Sequence, residues 1–101
     1  MPDTTGIVRA CSSGNVTIET AGGSYCLSRE EIRDILVFGR RIPLRQHNGI
    51  IDGDAIAYST PSGKGIIICL ASVAYLVPRC LFVRIAKGQI GSVPLAAIPR
   101  G

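Results

Sequence analysis

The sequence contains no tryptophan, and its other aromatics are three tyrosines and two phenylalanines. Proteins that hold single strands by base stacking need a run of aromatic faces, so that mode of binding has little material here. There is one histidine, His47, beside Asn48 and Gly49 with no acid or nucleophile in a recognisable pattern nearby. A catalytic triad needs a base oriented next to a nucleophile; His47 reads instead as a linker residue. The four cysteines, at 11, 26, 69 and 80, include no C-x2-C pair, which removes the zinc-ribbon and dithiol redox motifs. They read as reduced, small apolar residues. The start, MPDTTG, lacks a basic and apolar leader, and the expected compartment is cytoplasmic. Long apolar runs are also missing. The best, Gly65 to Val77, covers about thirteen residues, contains Ser72 and is rich in β-branched side chains. It is too short to span a bilayer as a helix and reads as buried strand. Charged residues make up only 18% of the chain against 47% hydrophobic, the reverse of the balance that produces disorder.

What is present is a small basic chain of 101 residues with a net charge of +4. The size fits one domain with a modest core. The charge admits nucleic acid as a partner, because arginine and lysine displace counterions from phosphates.

Ile7 to Cys11, Val16 to Thr20 and Ser24 to Leu27 read as a three-stranded antiparallel meander. In the second strand the alternation puts Val16 and Ile18 inward and Thr17 and Glu19 toward water. Ser28 then opens a helix of about nine residues. Its hydroxyl and the carboxylate of Glu31, three residues on, form a capping box. Ile32, Ile35 and Leu36 make one apolar stripe, and Gly39 supplies a left-handed stop. Ile42 to Arg45 is extended but carries Pro43, which predicts an edge strand paired on one side only. Gln46 to Gly49 is a turn, Asp52-Gly53 a second one, and Asp54 to Ser59 a strand. A loop at 60–65 leads to strands at Ile66–Leu70 and Val73–Val77 with a weak turn at Ala71-Ser72. Arg79 to Lys87 forms a short helix ending at Gly88, and Ser92 to Ile98 is a last strand, again with a proline, Pro94.

The two halves match at a nearly constant offset. At 50, Ile18 meets Ile68, Tyr25 meets Tyr75 and Arg29 meets Arg79; at 49, Ile7 meets Ile56; at 51, Pro43 meets Pro94. The expected fold is therefore mainly β with two helices (β+α). It is a small pseudo-two-fold β-barrel or sandwich, one domain over 1–101 made of two repeats at about 3–48 and 52–98. Each repeat holds about three strands, a short helix and a proline-bearing strand. The second repeat is the more apolar, so its helix is expected to be the more buried or to lie at a subunit contact. The stretch Tyr25 to Leu44, with S-R-E-E-I-R-D-I-L, a glycine and an I-P-L strand, resembles the half-units of cradle-loop barrels, among them double-psi barrels and swapped-hairpin regulators. The resemblance implies a barrel; it transfers no functional residue.

Candidate chemistry is sparse. Asp52 and Asp54 flank Gly53, too few oxygens for a calcium loop. Ser62-Gly63-Lys64-Gly65 lacks the Ser or Thr that must follow the lysine of a phosphate loop. No catalytic set, metal site or cofactor is expected, and an enzyme is the less favoured reading. The densest basic group is Arg29, Arg33, Arg40, Arg41 and Arg45, interleaved with Glu30, Glu31 and Asp34. Guanidinium groups suit phosphate and carboxylate. The expected function is a non-enzymatic binding module that contacts nucleic acid or an acidic protein through these arginines. The alternative is a protein-interaction or assembly domain that forms a homo-oligomer.

Overall fold

The computed structural model describes residues 6–11, 14–20, 23–46, 49–70 and 73–98. Several sequence expectations fall outside these: the polar lead-in Met1–Thr5, the turn residues at 12–13, 21–22 and 71–72, the linker His47-Asn48 and the tail Pro99–Gly101. The side chain of Asp52 is likewise not described.

Eight strands and two helices follow in the order β1 (Gly6–Ala10), β2 (Val16–Thr20), β3 (Gly23–Leu27), α1 (Arg29–Phe38), β4 (Ile42–Gln46), β5 (Ile51–Ser59), β6 (Gly65–Cys69), β7 (Ala74–Pro78), α2 (Arg79–Ala86) and β8 (Ser92–Ala97). Every strand pairs antiparallel with the next, and β8 returns to pair with β1, closing an eight-stranded barrel. Neighbours in space are thus neighbours in sequence, apart from that one seam. The strand order is a plain meander, and what the structure shares with the cradle-loop resemblance is no more than a barrel with a capped helix, α1, between two strands.

Because the strands alternate in direction, the links β3–α1–β4 and β7–α2–β8 lie at the same end of the barrel. The helices close that end. Each turns two large apolar residues inward, Ile32 and Ile35 from α1 and Phe82 and Ile85 from α2. They join a core built from alternate strand positions, including Val8, Val16, Ile18, Tyr25, Leu27, Leu44, Ile66, Ile68, Tyr75, Val77 and Val93. An eight-stranded barrel has an interior just wide enough for such side chains to fill. Burial of each large one contributes roughly 1.5–3 kcal/mol. As the sequence predicts, α2 is the more buried helix: only Cys80 and Arg84 on it are exposed, against five residues of α1.

α1 forms where its local signals place it. Glu31 N donates to Ser28 Oγ (3.2 Å) and Ser28 N donates to Glu31 Oε1 (2.9 Å), which completes the capping box. Gly39 stops the helix at φ 64°. α2 has no such cap; Pro78 precedes it, and the N–H of Arg79 is taken by the carbonyl of Lys64 at 3.0 Å.

Three expectations are corrected. Thr17 is buried rather than wet, because Cys11 lies over it on the outer face, with Cys11 Sγ 2.9 Å from Thr17 Oγ1. β4 is not an edge: it pairs with both β3 and β5. Pro43 fits because the β3 ladder reaches only Arg45 and Gln46, so the missing N–H is not needed on that side. Asp52-Gly53 is not a turn. It lies inside β5, where the register against β4 jumps from Pro43↔Ile56 to Leu44↔Asp52 and the extra residues bulge out of the ladder.

Candidate functional site

The five arginines lie along α1 and the strand that follows it. Arg29 is the first residue of α1 and Arg33 is one turn on; both are exposed. The backbone N–H of Arg29 donates to Asn15 Oδ1 at 3.0 Å. Its stem lies against Gly14, where a Cβ would stand 3.2 Å from Arg29 Cδ and where φ is +81°. This fixes Arg29 at the junction with α2, away from the other end of the helix. Arg33 has no carboxylate partner among the described residues.

Arg40 and Arg41 leave the C-terminal end of α1. Arg40 Nη1 stands 3.9 Å from Asp34 Oδ2, and its guanidinium carbon sits 5.1 Å from the centre of the Phe38 ring. Arg41 lies 4.8 Å over the ring of Tyr58 on β5. A cation over an aromatic face is held by the ring quadrupole without being neutralised. Phe38 and Val37 beside it are 58% and 67% exposed. This corner of the molecule therefore presents guanidinium groups interleaved with apolar and aromatic surface.

Arg45 is engaged differently. Its Nη2 donates to Glu31 Oε1 at 2.7 Å, the same oxygen that accepts from Ser28 N. The pair ties β4 to the first turn of α1. Arg45 Nε is buried and has no acceptor among the described residues. It borders a cleft of about 290 Å³ lined also by Cys11, Thr17, Cys26 and Ser28. Cys26 on β3 pairs with Thr17 on β2, and Cys11, the residue after β1, approaches Thr17 from the other side. No disulfide joins any of the four cysteines.

Arg40 and Arg41 lie just beyond the C-terminal end of α1, against Phe38 and Tyr58, and Arg33 lies partway along α1 itself. Arg29 and Arg45 belong to its N-terminal half. Sequence reasoning missed two participants. Tyr58 lies seventeen residues from Arg41 and meets it only through the β4–β5 pairing. Arg79, the counterpart of Arg29 at offset 50, donates from Nη2 to the carbonyl of Leu36 at 3.1 Å and so ties α2 to the end of α1. The repeat was the signal that singled out Arg79.

Among the described residues there is no group of three or more His, Cys, Asp or Glu side chains placed to hold a metal ion. No described helix is long and apolar enough to cross a membrane. The fold defines the protein as a closed antiparallel barrel with one end covered by two helices. Comparison with protein-family models, with curated proteins and with solved structures gives no match, so geometry alone bears on function.

Proposed function

We propose that the protein is a small non-enzymatic binding module whose α1 face contacts nucleic acid through arginine, chiefly Arg33, Arg40 and Arg41. The observation that carries this reading is the placement of Arg40 and Arg41 over the rings of Phe38 and Tyr58, with Arg33 free of a described acidic partner. Ring contacts orient a guanidinium while leaving its N–H donors available for phosphate oxygens. Arg29 and Arg45 extend the same basic tract toward the other end of α1. Fluorescence anisotropy with labelled duplex and single-stranded oligonucleotides tests it. Binding is expected at low salt, with an affinity that falls with a log–log slope of about −2 to −3 if three arginines each neutralise a phosphate. Substituting Arg33 and Arg41 by glutamine should reduce that slope by about two. No binding of either oligonucleotide at low salt refutes the reading.

Protein assembly is the second reading. Val37, Phe38, Ile50 and Ile51 are large apolar residues left exposed, and light scattering that finds a strict monomer would remove it. A closed barrel offers no strand edge for such assembly, so contact would run through side chains.

We also propose that the barrel descends from a duplicated unit of about fifty residues. Equivalent pairs recur in the ladders: Ile18↔Tyr25 and Ile68↔Tyr75, then Tyr25↔Gln46 and Tyr75↔Ala97. The two seams between halves use the same pair of residue types, Pro43↔Ile56 and Pro94↔Ile7. These support the repeat because each pairing is fixed by a different set of backbone hydrogen bonds.

A further inference from the structure

The larger cleft at the helix-bearing end, about 490 Å³, opens between the start of α1 and the end of α2 and is lined by Cys11, Gly14, Arg29, Ala86, Lys87 and Gly88. Two of these residues are cations, carried by separate helices. Among the described residues no carboxylate lines the cleft, and neither Arg29 nor Lys87 has an ion-pair partner. Two like charges facing one space repel unless an anion lies between them.

The opposite helix junction provides the comparison. There Arg79, first residue of α2, donates to the carbonyl of Leu36 near the end of α1 and is half-buried. Here Arg29, first residue of α1, lines one cleft with Ala86 at the end of α2, yet its guanidinium makes no hydrogen bond among the described residues. The residue after Leu36 is Val37, whereas the residue after Ala86 is Lys87. One junction is thus closed by its arginine. The other is open and carries a second cation. Gly14 keeps it so, since any side chain there would press on the stem of Arg29 and would need a left-handed backbone.

We propose that this cleft is an oxyanion site that takes a phosphate group between Arg29 and Lys87. The guanidinium offers a planar pair of donors and the ammonium a compact charge, the combination that phosphate oxygens accept. The phosphate belongs either to a small molecule or to a nucleic-acid strand. The site shares Arg29 with the basic tract of α1 but uses neither Arg33, Arg40 nor Arg41, so Lys87, which is outside that tract, tests it apart from the α1 face.

The test is an NMR titration of the backbone amides of the full chain with inorganic phosphate, and separately with a short oligothymidylate. The amides of Gly14, Arg29, Lys87 and Gly88 are expected to shift together, with phosphate saturating near about 1 mM, a typical weak affinity. Lys87→Gln lies at an exposed helix end, so its spectrum should otherwise match the parent, and it should weaken binding by about tenfold. Arg29→Gln should do the same. Shifts at these amides with oligothymidylate but not with phosphate assign the group to a strand and support the site. Shifts that leave these four amides unmoved, or binding that Lys87→Gln does not weaken, overturn it.

Discussion

Gly6 and Gly65 show how one residue type meets two different constraints. A Cβ on Gly6 would stand 2.8 Å from Leu95 Cδ1 and 3.1 Å from the carbonyl oxygen of Glu19. The second obstacle is backbone in the middle of a ladder and cannot step aside. A Cβ on Gly65 would stand 2.7 Å from Leu76 Cδ1, the tip of an exposed side chain, and 3.4 Å from the carbonyl of Val77. Gly6→Ala is therefore expected to destabilise the protein by about 1–3 kcal/mol, the usual cost of overpacking, and Gly65→Ala by clearly less. Urea denaturation measures both, and equal losses would mean that the β2 backbone yields as easily as a side chain. Neither constraint is legible in the sequence, because each depends on what a distant strand brings within reach. Thr17 makes the same point from the other side. Period-two alternation assigns it to the outer face correctly, but only the fold puts Cys11 over that face.

Local signals decide the helices more than the strands. Ser28, Glu31 and Gly39 predict the start, cap and stop of α1, and all three act as predicted because a cap is made among residues a few places apart. Ser28→Ala removes the acceptor for Glu31 N and is expected to cost about 1 kcal/mol. Ser28→Thr should restore most of it, and thermal unfolding followed by circular dichroism distinguishes the two. A loss no greater than that of an exposed surface substitution would mean that the Glu31–Arg45 pair alone holds the first turn. The strands at 7–27 were also legible, from alternation and from glycine-bearing turns. β5 was not. Asp-Gly is a common turn signal, and it is the pairing of Ile51 and Asp52 with Arg45 and Leu44 of β4 that carries the strand through this point. Of the candidate site, the arginines could be read from the sequence as a group. That Arg41 lies over Tyr58 and that Arg45 pairs with Glu31 could not, since both partners reach them through tertiary packing.

At the scale of the whole molecule, the two halves share their element order and the pairing at both seams. If each half descends from one unit, that unit had to close on a copy of itself, because alone it leaves one face of its strands uncovered. A polypeptide of residues 3–48 is accordingly expected to form a dimer with a largely β circular dichroism spectrum. Analytical ultracentrifugation checks this, and a disordered monomer at high concentration would count against the proposal. Barrel closure was not legible: the sequence left barrel and sandwich open, and what decides between them is whether the first and last strands meet. They do, through Gly6↔Leu95 and its neighbours. That seam also has a consequence in time. Every other ladder joins strands adjacent in the chain, directly or across one helix, whereas the β1–β8 ladder must close over all the strands between them. During synthesis β1 emerges before the other strands and β8, its last partner, after them. For that interval the growing chain carries an open strand edge that the finished barrel no longer has, and this is when the protein is most exposed to pairing with a neighbour.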